Sequence, residues 1–171
     1  MSLAGRLLVA SPLLGDPNFH RTVILVLTHD ESGAVGVILN RPSTSSVAEH
    51  LPDWSGNAVD PPVVFIGGPV EPAVAICLER ANDEAEPIPG IGLIDLTNMP
   101  GDEQVRVFSG YAGWGGGQLE DELAEGAWIV AEPVVDDAFS ANIESLWGRV
   151  LRRQGGPAAM LATFPTDPGL N

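Results

Sequence analysis

Apolar positions in this chain come in short blocks separated by glycine, proline and acidic clusters, and most blocks are strand-sized. Leu7 to Ala10 is the first. Val23 to Leu27 is apolar at every position, so period-two alternation is absent and the segment reads as a strand buried on both faces, in the middle of a sheet. Asp30-Glu31-Ser32-Gly33 is turn chemistry. Ala34 to Asn40 then returns as another apolar run, which predicts a short antiparallel hairpin. Gly36 inside that run marks a bulge or a close backbone approach. Arg41-Pro42 stops the strand. Ser46, followed three residues on by Glu49, is a capping-box pattern and predicts a short helix that turns Val47 and Leu51 inward and ends at Pro52. Further strands are predicted at Val63 to Ile66, Ala73 to Leu78, Ile91 to Leu96, Val105 to Phe108 and Trp128 to Ala131. Asn82 to Gly90, acidic and proline-bearing, reads as an exposed loop. Gln118 to Glu125 reads as a helix. In the last helix Ile143, Leu146, Trp147, Val150 and Leu151 share one face, Arg149, Arg152 and Arg153 favour the C-terminal end, and Gly155-Gly156 terminates it. Residues 163–171 read as a mobile tail. Strands dominate the first two thirds and helices gather afterwards, so the pattern predicts an α+β fold rather than strict β-α-β alternation.

Composition narrows the function classes. A chain of 171 residues, 44% of them hydrophobic, can bury a core of its own as a single domain over 1–171. The formal net charge is −15 and there is no lysine; all eight basic residues are arginine. Such a surface repels polyanions, so direct nucleic-acid binding is disfavoured. No apolar run approaches the roughly 18 residues a membrane helix needs. The first residues superficially resemble a signal peptide, but Pro12 and Asp16 break the run, so Leu7 to Ala10 is read as a strand and the protein as soluble and cytoplasmic. Cys77 is the single cysteine, which excludes an intrachain disulfide and every multi-cysteine zinc site. Lying in Val74 to Leu78, it reads as a small core residue rather than a nucleophile.

The stretch Val105 to Glu122, VRVFSGYAGWGGGQLEDE, holds the densest glycine content. A strand, a glycine-rich turn and a helix start can cradle a phosphate. Here, however, GxGxxG is not satisfied, the P-loop lysine is missing, and Glu120, Asp121 and Glu122 in the first helical turn repel an anion. The segment reads instead as a loop whose glycines allow tight turns and close packing, with Tyr111 and Trp114 as aromatic plugs. The same loop is a candidate pocket rim. With the segments Asn40-Arg41-Pro42 and Gly67-Gly68-Pro69 it suggests a cleft, giving Arg21, Asn40, Arg41, Gly67, Gly68, Tyr111, Trp114 and Gln118 as candidate ligand- or partner-binding residues.

Enzyme chemistry is constrained by the missing lysine and the lone cysteine, and neither GxSxG nor HExxH occurs. For a hydrolase or metal-dependent enzyme the best candidates are Asp16, His29 and Arg21 or Arg41. The simpler reading has Arg21 and Arg41 holding loops down through carboxylate or carbonyl contacts. No catalytic residue, metal ligand or cofactor is assigned.

The blocks SPLLGDPNFHRTVILVLTHDESGAVGVILNRP, GGPV at Gly67 to Val70, GYAGWGGGQLEDEL at Gly110 to Leu123 and LWGRVL at Leu146 to Leu151 resemble, in order and over nearly the whole chain, the successive motifs of the YqgE/AlgH family. The resemblance implies a mixed, largely antiparallel sheet curled into a barrel-like shape, with helices packed outside. For function it implies little: the family is largely uncharacterised, its members are often labelled transcriptional regulators, and no catalytic residues come with it. The expected function is a non-enzymatic regulatory or adaptor domain with an unknown protein or small-molecule partner. The alternatives are the hydrolase or metal enzyme above, and a direct DNA-binding regulator supported only by Arg149, Arg152 and Arg153.

Overall fold

Strand order follows from the doubly apolar runs. Leu7–Ala10 (β1) lies between Val23–Asp30 (β2) and Trp128–Ala131 (β9), antiparallel to both, in a computed structural model that describes residues 2–82, 84 and 88–165. Leu7 and Val9 enter one core while Leu8 and Ala10 enter another, which is why this run does not alternate. The predicted hairpin joins β2 to Gly33–Ile38 (β3), with Asp30 opposite Gly33. At Gly36 the strands lie so close that a Cβ would sit 2.7 Å from the Leu25 carbonyl oxygen, and the register slips across from it, between Val26 and Thr28.

The remaining strands are Pro42–Ser46 (β4), Val63–Ile66 (β5), Val70–Arg80 (β6), Ile91–Ile94 (β7) and Val105–Gly115 (β8). One sheet runs β4-β5-β8-β3-β2-β1-β9, with β6 also paired to β8 and β7 to β6. β5 and β8 are parallel, and the other named strand pairs are antiparallel. This mixed sheet curls into a half-barrel flanked by four helices: Val47–His50 (α1), Gln118–Ala124 (α2), Leu146–Gln154 (α3) and Gly156–Leu161 (α4).

The main core lies between the sheet and α3. Leu146, Trp147, Val150 and Leu151 are buried on the predicted face, whereas Ile143, expected on the same helix, is buried but precedes it; the Trp147 indole donates to the Ala10 carbonyl at 2.9 Å. A second core, around Trp114, Trp128 and Leu119, sits under α2. The third gathers Val47, Trp54, Cys77, Val105 and Val107. Burial pushes the Cys77 thiol up to about 12, as expected of a packing residue.

Several expectations need correction. The glycine-rich segment after Phe108 is not a loop: β8 continues through Gly115, because Ala112, Gly113, Trp114 and Gly115 pair with Gly36, Val35, Ala34 and Gly33. Pro42 does not end regular structure but begins the edge strand β4, where a missing N–H costs no ladder bond. β7 stops at Ile94 because the Asp95 carboxylate turns back onto the amide and hydroxyl of Thr97. Within the expected exposed loop, Ile88 is buried and bridges to Ile91, while residues 83 and 85–87 lie outside the described set. Gly155 ends α3 as expected, yet α4 starts at once with a proline in its first turn. Of the expected mobile tail, Thr163 and Phe164 are bonded back to α4, and residues 166–171 lie outside the described set.

Candidate functional site

The glycine motifs meet at one backbone crossing. Phe108 of β8 pairs with Phe65 of β5 on one edge and with Ile76 of β6 on the other. Gly67, Gly68 and Pro69 therefore have to carry the chain over β8 in three residues. Neighbouring strands lie about 4.8 Å apart, so the crossing must hug the main chain. A Cβ on Gly67 would overlap the Gly110 carbonyl, and one on Gly68 would overlap the backbone of Tyr111. Gly110, at φ +71°, faces the Gly68 and Val70 carbonyls from the other side. Gly67, Gly68 and Tyr111 are thus brought together by backbone packing.

Arg21, Asn40 and Arg41 form a separate knot. The Asn40 side chain accepts from the Val23 amide and donates to the Arg21 carbonyl, both at 2.9 Å, holding Arg21 at a left-handed φ of +56°. The Arg21 guanidinium lies 4.0 Å from the centre of the Trp147 ring and donates to the Phe164 carbonyl. Arg41 donates to the carbonyls of Pro17 and His20. Partial burial lowers the pKa of both arginines. Each arginine holds loop or terminal backbone through carbonyl contacts.

Trp114 and Gln118 belong to a third knot, organised by Glu122. One Glu122 oxygen accepts from the indoles of Trp114 (3.1 Å) and Trp128 (2.9 Å), and the other accepts from the Gln118 amide, whose own oxygen caps the Gly115 N–H. Glu122 looks from sequence like a helix-surface acid; its role is visible only once β8 and β9 bring two indole N–H groups to one point.

Asp16 and His29 are engaged separately. The Asp16 carboxylate accepts from the Asn18 amide. His29 accepts from the Leu3 amide on Nδ1 and bonds Glu120 through Nε2. Among the described residues, no group of three or more His, Cys, Asp or Glu side chains is placed to hold a metal. Of the C-terminal arginines, Arg153 clasps the buried Asp137 carboxylate with two nitrogens and Arg149 bonds Ser140, Asn142 and Ser145, leaving Arg152 exposed. Arg106, buried in the core, donates to the Asp60 and Ser140 carbonyls, and desolvation lowers its pKa to about 10.

None of the eight predicted binding residues lines the open groove, of about 460 Å³, that the strands do form. Its floor is Val64, Ile66 and Val107; Ser43, Ser45 and His50 stand on one side and residues 72–75 on the other. Two breaks in pairing create it. Between Pro42 and Ser46 the edge strand β4 slips against β5, and between Val70 and Ala75 strand β6 bulges away from β8. The bulge is fixed: Glu71 sits at φ +46°, directly before a proline. Tyr111 donates to its carboxylate at 3.0 Å, which raises the tyrosine pKa, and the Ser109 hydroxyl donates to the Pro72 carbonyl. Ile66 and Val74 remain 47% and 41% exposed. A signal for the bulge was present in Pro72, which cannot donate to a ladder.

Comparison with known proteins places this arrangement. The chain is 50% identical to a UPF0301 protein of Streptomyces coelicolor, over 99% of this chain and 96% of that one. It is 46% identical to a UPF0301 protein of Thermobifida fusca, over 100% and 96%. A crystal structure from Corynebacterium diphtheriae matches with a TM-score of 0.86 at 29% identity, covering 94% of this chain and 91% of that one. The solution structure of the AlgH protein from Pseudomonas aeruginosa matches with a TM-score of 0.72 at 27% identity, covering 95% and 94%. The AlgH-like family model, DUF179, aligns with residues 7–159 and so takes in the crossing, the groove and, Phe164 apart, both side-chain knots: the chain belongs to the AlgH-like family.

Proposed function

We propose that this chain is a non-enzymatic regulatory or adaptor domain, working in the cytoplasm, that holds a protein or small-molecule partner in the groove between β4 and the bulge of β6. The observation that carries this reading is the groove itself. Its volume of about 460 Å³ falls in the range of ligand sites, roughly 300–1,000 Å³. It is floored by apolar side chains, of which Ile66 is nearly half exposed. Among the described residues lining it, His50 is the one ionisable side chain, which suits recognition better than acid–base chemistry. None of residues 110–118 lines the groove, and Tyr111 instead holds the bulge through Glu71. Any part in transcription is then indirect, through the partner, since the acidic chain opposes DNA contact.

The test compares affinity capture by the wild type, by Ile66→Arg in the groove and by Met99→Arg, the same apolar-to-arginine change at a more exposed site elsewhere, with mass spectrometry of retained proteins and small molecules. Species kept by wild type and Met99→Arg but lost by Ile66→Arg are expected. Identical sets from all three proteins overturn the reading.

A further inference from the structure

Resting on that reading, we propose that the occupant of the groove is an extended segment of a partner protein that carries arginine or lysine between apolar residues. Its backbone would pair with the bulged stretch of β6, and its apolar side chains would cover Ile66 and Val74.

The breaks in pairing argue for an extended chain. Residues 71–74 fall outside the ladder with β8, and residues 43–45 outside the ladder with β5, so apart from the Pro72 carbonyl, which accepts from Ser109, and the Ser45 N–H, which donates to Ser43 Oγ, main-chain groups on both sides of the groove are left without ladder partners. Residues 71–75 are all exposed within a strand that is buried further on at Cys77 and Leu78. An incoming strand satisfies such groups with its own N–H and C=O, while alternate side chains reach the floor. The bulge is also held ready, by the Tyr111–Glu71 and Ser109–Pro72 hydrogen bonds, in a conformation that Glu71 would not adopt unaided.

Charge selects the chemistry of the segment. The lining residues include no arginine or lysine, and the exposed Glu49 and Glu71 stand directly beside the lining residues His50 and Pro72 in the chain. Arg106, next to the floor residue Val107 in sequence, is 1% exposed and committed to backbone carbonyls. A second copy of this chain would bring a further net charge of −15 as a whole, and an anionic ligand would find no arginine or lysine among the lining residues. A cationic segment meets neither obstacle.

The experiment titrates the full-length, isotope-labelled protein with an acetylated seven-residue peptide alternating valine and arginine, with its valine–glutamate counterpart, and with a version of the first peptide N-methylated at alternate residues. Binding is followed by amide chemical shifts. The arginine peptide is expected to move residues 43–45, 64–66 and 73–75. The glutamate peptide should bind at least tenfold more weakly, and N-methylation and Ile66→Ser should each weaken binding at least tenfold. Equal binding of the two charge types, shifts centred away from the groove, indifference to Ile66→Ser, or no binding by any peptide overturns the proposal. If the peptides fail while capture still depends on Ile66, the groove remains a ligand site and only the peptide assignment falls.

Discussion

Replacing Gly110 by alanine isolates the crossing that the fold turns on. Two costs add. A residue with a Cβ at φ +71° loses about 1–2 kcal/mol relative to its preferred backbone region. The new Cβ would also lie 2.5 Å from the Gly68 carbonyl oxygen, 3.0 Å from that of Val70 and 3.3 Å from the Pro72 Cα. All three are main-chain atoms, of the crossing or of the start of β6, so no side chain can rotate away, and overpacking of this kind costs about 1–3 kcal/mol. The sum is about 2–5 kcal/mol. Gly117→Ala is the matched control: its φ is +80°, yet a Cβ there meets nothing within 4 Å, so only the backbone cost of about 1–2 kcal/mol applies. Urea unfolding followed by tryptophan fluorescence reads both variants, and with an m-value of about 2 kcal/mol/M the Gly110 change should lower the midpoint by about 1–2.5 M. A Gly110→Ala midpoint equal to or above that of Gly117→Ala, with m unchanged, would refute the steric account of the crossing.

Glu122→Leu strands two indole donors and should destabilise by about 2–4 kcal/mol, whereas Glu122→Gln, which keeps an acceptor oxygen, should cost about 1 kcal/mol; equal urea midpoints for the two variants would show that the double acceptor is unimportant. Cys77 predicts an alkaline limit. Its folded pKa of about 12 lies above the ordinary 9.0, so its contribution is intact below about pH 9 and lost between about 9 and 12, at about 1.4 kcal/mol per pH unit. Tyr111, also raised, acts in the same direction, so the measurement is the difference in pH slope between wild type and Cys77→Ala; parallel slopes from pH 9 to 10.5 would contradict the burial argument.

How much was legible in the sequence differs from element to element. Continuous apolar runs marked β1 and β2 because a segment buried on both faces has no polar phase to show, and the helical spacing of Leu146, Trp147, Val150 and Leu151 marked the buried face of α3. Gly36 signalled its close approach because glycine inside a strand has few other uses. The stretch from Gly110 to Gly115 was misleading, since glycine content suggests a loop when each residue is judged locally. It forms a strand because β3 and β6 supply ladder partners distant in sequence, and tertiary pairing overrides weak local propensity.

The sequence by itself determined the α+β class, the hairpin, the amphipathic face of α3, the acidity and the exclusion of lysine-based chemistry and multi-cysteine metal sites, because these depend on residue type and near-neighbour spacing. The tertiary structure alone decided that Gly67, Gly68 and Gly110 share one crossing, that Glu122 receives two indoles, and that the open groove lies among Ser43, Ile66 and Val74 rather than beside Trp114. The physical reason is that a groove and a crossing are relations between strands far apart in the chain, fixed by register and curvature, which no single stretch of sequence carries.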